Sequence, residues 1–385
     1  MSTDPIVIES PVNGVKPHQI LECINPATGA RIDELTCATP ADVTAAVARA
    51  RAAFPAWSAL SFDRRAQYLL RARDILLDRK REVLDLMVRE TGKPRSDATA
   101  DVLLLSAAIG YYTAHGEEYL QDESVRSTLA LNKRLRVEFS PRGVVANISP
   151  WNYPLDLAWS PLVPALLAGN VVINKPSETT PLISLKFREI LLEAGVPPDV
   201  AQVLVGYGAV GAKLCQEADF IAFTGSVATG RRVAMACAER LIPCTLELGG
   251  KDPAIVLADA NLERTANGLV FGAFFNSGQT CTSVERVYVV EEVHDELVEK
   301  IVRLTQSLRQ GIDSDYNVDV GSMIHPPQIK IVDEHVEDAV ERGAKVRTGG
   351  RRNPDFADGH FYEPTVLTHV DHTMKIMVDE TFGPV

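Results

Sequence analysis

Apolar residues in this chain first recur at helical spacing. Val43, Ala46, Val47, Ala50 and Phe54 fall on one face, with Thr39 placed to N-cap the helix and Pro40 in its first turn. The pattern continues through residues 61–90 and stops at Gly92, a C-cap residue followed by Pro94. Another helix is expected across about 96–119, so the first third of the chain reads as helices. The period then changes. In RLRVEFSPRGVVANISP, Leu135, Val137 and Phe139 alternate with Arg134, Arg136 and Glu138, the signature of a half-exposed strand.

Short apolar runs follow, separated by helical patterns: VVIN (171–174), AQVLV (201–205), FIAF (220–223) and PCTLEL (243–248). The helix at about 182–194 ends at Gly195. Such alternation implies parallel strands with helices on both faces. A second α/β stretch begins after GGKDP, with AIVLA, a helix at about 262–275, ERVYVV and a charged helix at about 294–309. A helix at about 326–342 then leads to AKVRTGG. The pair Gly249–Gly250 reads as a hinge between two domains, and no internal repeat is present.

Length and composition narrow the class. A chain of 385 residues exceeds the size at which one core stops growing, so two or more domains are expected. With 46% hydrophobic, 23% charged and 6% aromatic residues, it reads as a soluble globular protein. The net charge of −12 and the lack of a basic run argue against nucleic acid as a partner. Six cysteines without a C-x-x-C pair are poor material for disulfides or a metal site, so the expectation is a reduced cytoplasmic protein with no metal. MSTDPIVIES has no secretory pattern, and the apolar stretches are too short and too broken by proline to span a bilayer.

Five short motifs carry candidate chemistry, and each has a plain alternative. Asn152 in SPWNYP is placed to present its amide as an oxyanion donor, or the segment is a rigid aromatic turn. Lys175 and Glu178 in NKPSE suit a ribose diol, or form a surface salt pair. Gly225, Ser226 and Gly230 in FTGSVATG suit a phosphate at a helix N-terminus, or make a β–α turn. Glu247 in LELGGKDP, among apolar neighbours, suits a general base, or is a strand-end carboxylate facing water. Cys281 in FFNSGQTCTSVERV sits among small polar residues with no histidine within ten positions. The literal G-x-G-x-x-G of GYGAVG (206–211) lacks the acidic residue expected about twenty positions on, so a glycine turn is the better reading than a standard dinucleotide fingerprint.

The order of these motifs, P-W-N-Y-P, K-P-S-E, F-T-G-S, E-L-G-G and G-Q-T-C, resembles the aldehyde dehydrogenase superfamily from about residue 20 to ETFGPV (380–385). The resemblance implies an α/β fold: a parallel-sheet dinucleotide-binding domain (1–125 and 143–248), a bridging β-hairpin (126–142) used in oligomerisation, and a second α/β catalytic domain (249–385). It implies Cys281 as nucleophile, Glu247 as general base for water, and Asn152 with the Cys281 backbone N–H as oxyanion hole. It also implies cofactor contacts from Trp151, Lys175, Glu178, Gly208, Gly225, Ser226, Gly230, Glu380 and Phe382. The cofactor would be NAD, with NADP possible, and the product a carboxylic acid formed through a cysteine thioester. Small neighbours of Cys281 would leave room over its sulfur. The helix after SPWNYP, with Thr280 and Thr282, would line the aldehyde path, and Asp156 there would either disfavour acidic aldehydes or face solvent.

Two rival expectations stand beside this one. A thiol esterase or acyltransferase would need a histidine partner, and none of the eight histidines sits in a motif; several lie in charged helical stretches where solvation is expected. The other rival is a shortened or inactive family member. ETFGPV ends in mid-motif, and the resemblance implies a further stretch that completes the catalytic domain and pairs with a neighbouring subunit. An unpaired edge and a weakened homo-oligomer would follow.

Overall fold

The structure is a computed structural model that describes residues 19–126, 128 and 132–385. The N-terminal segment read for a signal, and residues 127 and 129–131 of the expected hairpin, lie outside the described residues. The chain opens with an antiparallel pair, β1 (Ile20–Ile24) and β2 (Arg31–Thr36). This corrects the all-helical reading of the first third. In β1 only Leu21 and Cys23 turn inward, and β2 carries only Ile32 and Leu35 as half-buried apolar residues, too weak an alternation to register.

Helices α1 (Pro40–Ser58), α2 (Phe62–Asp78), α3 (Lys80–Thr91) and α4 (Arg95–Tyr119) follow. The Thr39 cap is a reciprocal one: its hydroxyl accepts from the Asp42 N–H at 3.2 Å, and the Asp42 carboxylate accepts from the Thr39 N–H at 2.8 Å. The 61–90 stretch is two helices, broken where Arg79 leaves helical geometry (φ −92°, ψ 13°). Gly92 ends α3 in the left-handed region, φ +67°.

A hairpin, β3 (Glu123–Val125) and β4 (Leu135–Val137), connects these helices to the main sheet. The alternating segment therefore divides. Leu135–Val137 belongs to the hairpin, whereas Val144–Ile148 is a buried strand of another sheet. Val125, Leu135, Val137 and Phe139 are all exposed, so the hairpin's apolar positions are uncovered in the single chain.

The main sheet holds five parallel strands: β5 (Val144–Ile148), β6 (Val171–Lys175), β7 (Ala201–Val203), β8 (Phe220–Thr224) and β9 (Cys244–Glu247), in the order β7–β6–β5–β8–β9. The intervening helices are α5 (Asp156–Trp159), α6 (Leu162–Leu167), α7 (Pro181–Glu193), α8 (Gly208–Glu217) and α9 (Val227–Arg240). β5 and β6 are buried nearly throughout, as strands covered on both faces must be. One apolar core, including Trp57, Leu76, Met87, Ile109, Trp159 and Phe187, joins α1–α4 to this sheet. The strand order reverses between β5 and β8. In an open α/β sheet that reversal leaves a crevice outside the strands' carboxyl ends.

The second α/β part pairs β10 (Pro253–Val256) in parallel with β11 (Arg286–Val289), beside α10 (Leu262–Phe274) and α11 (Glu291–Gln306). It continues through α12 (Pro326–Glu341), the antiparallel pair β12 (Lys345–Thr348) and β13 (Val366–Thr368), and α13 (Lys375–Val378). Its apolar clusters are smaller and separate from the main core, centred on Val256, Leu269 and Leu297, and on Met323, Val332 and Tyr362. Among the described residues no helix is long and apolar enough to cross a membrane.

Candidate active site

Four of the five motifs leave the carboxyl ends of adjacent strands of the main sheet. Trp151 and Asn152 follow β5, Lys175 ends β6, Gly225 and Ser226 follow β8, and Glu247 ends β9. The crevice at the strand reversal is thus lined by residues more than ninety positions apart in sequence. Lys175 is buried, and its Nζ lies 3.2 Å from a Glu178 carboxylate oxygen that reaches solvent. Ser226 N-caps α9, accepting from the Thr229 N–H at 3.3 Å, and residues 226–229 are exposed at that helix end. Gly208 opens α8, and nothing lies within 4 Å of where its Cβ would be. Gly230 differs from its neighbours: it is buried, and Leu248 fills the space a Cβ there would occupy.

The fifth motif arrives from the second part of the chain. After α10, Asn276, Ser277 and Gly278 stand consecutively in the left-handed region, at φ 53°, 56° and 70°. Two non-glycine residues there cost about 1–2 kcal/mol each, so the turn persists only if its surroundings over-determine it. They do. The Asn276 side-chain amide donates to the carbonyls of Asn152 and Gln279, both at 3.1 Å, and its N–H donates to Asp97 at 2.9 Å. Gln279 donates to the Asn276 carbonyl at 2.9 Å and accepts from the Ile324 N–H at 2.8 Å. Asn276, Ser277, Gln279 and Ser283 are all buried and form the scaffold that shapes the Cys281 loop.

Asn152 joins the two parts. Its side-chain amide donates to the Gln279 carbonyl at 3.0 Å, two residues before Cys281, and the Tyr153 hydroxyl meets that of Thr280 at 2.8 Å. Six free cysteines are present, and Cys281 alone is exposed. Partial loss of water raises its thiol above the ordinary value, and the carboxylates of Glu380, Asp252 and Glu247 push the same way. Glu247 is also exposed, because β9 is the outer strand of the sheet and turns Thr245 and Glu247 away from the core. The apolar enclosure expected around it is absent.

Glu380 and Phe382 reach the crevice from the last residues of the chain. The Glu380 carboxylate accepts from the Gly250 N–H at 3.4 Å and lies where a Cβ on Gly249 would collide with it. The Phe382 ring meets Trp151 edge-on at 5.4 Å, and His325 stacks on that tryptophan's face. Burial and the nearby Glu285 raise the Glu380 carboxyl.

Several supporting residues were not found by sequence reasoning. Lys251 and Glu285 form a buried ion pair, and Glu285 accepts the N–H groups of Thr381 and Phe382, both at 2.9 Å, clamping ETFGPV in place. His335 is buried and bonds the Thr381 hydroxyl at 3.1 Å, unlike the solvation expected of several histidines in charged helical stretches. The available signal was its spacing from Val332 and Ala339, both on the buried side of α12. Asp156 is neither solvent-facing nor free: its half-buried carboxylate accepts the Ser160 hydroxyl.

Comparison with known proteins gives a consistent set of likenesses. A family model described as the aldehyde dehydrogenase family matches residues 13–385. The chain is 40% identical over 358 residues to a Mycobacterium ulcerans protein named "Putative succinate-semialdehyde dehydrogenase NADP(+) 2", covering 93% of this chain and 69% of that protein. Among solved structures, an E. coli NADP-dependent enzyme superposes with a TM-score of 0.92 at 33% identity, covering 95% of this chain and 76% of that one. Betaine aldehyde dehydrogenase from Staphylococcus aureus, solved with NAD+, superposes with a TM-score of 0.91 at 29% identity, covering 95% and 74%.

Proposed function

Because this chain belongs to the aldehyde dehydrogenase family, NAD(P)-dependent oxidoreductases that act on aldehydes, we propose that Cys281 is its nucleophile, Asn152 its oxyanion donor and Glu247 its general base. The observation that carries this reading is the 3.0 Å bond from the Asn152 amide to the Gln279 carbonyl, which sets the donor beside the Cys281 loop. In this reading the Cys281 thiolate adds to the aldehyde carbon. The second N–H of Asn152 and the Cys281 backbone N–H hold the resulting oxyanion. NAD(P)+, when bound, supplies the hydride acceptor. Glu247, exposed at the crevice edge, takes a proton from the water that cleaves the Cys281 thioester and releases the acid.

The crevice suits a dinucleotide. Lys175 and Glu178 stand at a strand end to bind a ribose, the exposed N-terminus of α9, entered through Gly225 and capped by Ser226, would face a pyrophosphate, and Gly208, with open space around it, would lie near the adenine. Trp151 would lie near the pyrophosphate, and Glu380 and Phe382 would position the nicotinamide ribose and ring. Gly230 contributes in this reading by letting Leu248 pack closely under α9.

The proposed division is 1–125 with 143–248 for the cofactor, 126–142 for bridging and 249–385 for catalysis, the first strand of the bridging hairpin starting already at Glu123. The uncovered apolar residues of β3 and β4 support a homo-oligomer, and six free cysteines support a reducing cytoplasm. The relatives' names extend the substrate reading to a semialdehyde. Replacing Cys281 with Ala tests the core of the proposal. NADH formation from butanal and from succinate semialdehyde should fall at least about a thousandfold, with the circular dichroism spectrum unchanged. Turnover retained in that variant would sink it.

A further inference from the structure

Lys93 belongs to none of the motifs above, yet it is buried at 1% exposure and its ammonium points at the active-site loops. Its Nζ donates to the Asn152 backbone carbonyl at 2.7 Å. It also lies 3.8 Å from an Asp101 carboxylate oxygen and 4.7 Å from the centre of the Tyr153 ring. Two acidic neighbours at the start of α4 complete the arrangement. Asp97 accepts the Asn276 N–H at 2.9 Å, and Asp101 accepts the Asp156 N–H at 2.7 Å. One buried cluster therefore holds the Asn152–Asp156 segment on one side and the Asn276–Gln279 turn on the other.

Asn152 is the point where these restraints converge. Its carbonyl accepts from Lys93 and from the Asn276 amide, while its own side-chain amide donates one N–H to Gln279. A primary amide carries two N–H groups, so one remains for a ligand, and its direction follows from how the backbone is held. Burying an ammonium is costly, and a methionine of similar length would fill the same space without that cost. Packing alone does not call for a cation aimed at the carbonyl of Asn152.

We propose that Lys93 is a positioning residue for the oxyanion site: by gripping the Asn152 carbonyl it aims the free amide N–H at the place where negative charge develops. This rests on the reading of Asn152 as oxyanion donor. Lys93 does not touch the reacting atoms. It acts through Asn152, with Asp101 balancing its charge and Asp97 keeping the facing turn in register.

The test pairs Lys93→Met with Asp101→Asn, so that the buried cation and its nearest carboxylate are removed together. The double variant should melt within a few degrees of wild type, keep its KM for NAD+ within about twofold, and react with iodoacetamide at Cys281 at an unchanged rate. Its kcat should fall by about ten- to a hundredfold, the loss expected when a donor is misaimed rather than removed. Lys93→Arg, which retains the cation, should recover most of that rate. A double variant with wild-type kcat overturns the proposal. So does one whose Cys281 alkylation slows in step with kcat, or one that fails to fold while Lys93→Arg is fully active, since each outcome assigns Lys93 to general packing. Asn152→Ala separates the two levels. If it keeps wild-type kcat, the parent reading fails; if it loses activity while the double variant does not, only the role of Lys93 fails.

Discussion

Glu178 carries the clearest consequence of a single side chain. It ends the K-P-S-E motif with its carboxylate 3.2 Å from Lys175, partly in water at the cofactor crevice. In its proposed place on a ribose diol, that carboxylate would repel a 2′-phosphate. The chain should therefore use NAD+ with a higher kcat/KM than NADP+, although two of the proteins it resembles are named for NADP. Glu178→Ser should raise the NADP+/NAD+ ratio of kcat/KM by tenfold or more, and steady-state assays with both cofactors decide it. A wild-type preference for NADP+ would contradict the assignment. Residues of this kind were legible because they stand in short motifs of distinctive composition. Lys93 and His335 were not, since neither a lysine in the Gly92–Pro94 helix break nor a histidine inside a polar helical stretch gives a local sign of burial.

The turn before Cys281 shows how an element depends on distant partners. Gly278 sits at φ +70°, and a Cβ there would strike the carbonyl oxygen of Gly383, on the segment that carries Glu380 and Phe382. Only glycine lets ETFGPV pass this close to the Cys281 loop. Gly278→Ala should destabilise the protein by at least about 2 kcal/mol, from left-handed strain plus the collision. The loss reads out as a melting temperature lowered by several degrees, together with a higher KM for NAD+ as Phe382 leaves Trp151. An unchanged melting temperature would mean that the two segments do not meet in solution. Helix and strand positions were largely legible from periodicity. The break at Arg79 and the β1–β2 pair were not, because each depends on packing rather than on a local apolar repeat.

At the scale of the whole molecule, Glu90 couples pH to stability. It lies at the end of α3, fully buried, and its two carboxylate oxygens accept the Leu182 and Ile183 N–H groups at the start of α7, a helix whose Thr180 supplies no side-chain cap. Burial outweighs those two bonds and pushes its carboxyl up to about 8 from an ordinary 4.5. The folded state therefore binds this proton more tightly than the unfolded chain. Its contribution is full below about pH 4.5 and is lost as pH rises through about 8. Wild-type melting temperature should fall relative to that of Glu90→Gln between pH 5 and pH 8, and parallel curves for the two proteins would refute this. The wider division of labour follows the same physics. By itself the chain determined its helices, its parallel strands and the motifs bearing Cys281, Glu247, Lys175 and Glu178, because periodicity and short composition are local properties. Tertiary structure alone decided that Glu247 is exposed on an outer strand, that the polar residues around Cys281 are buried scaffold, and that Lys93, Asp97 and Asp101 hold the two halves of the site together. Burial and hydrogen-bond pairing depend on which distant segments pack against a residue, and no local pattern encodes that.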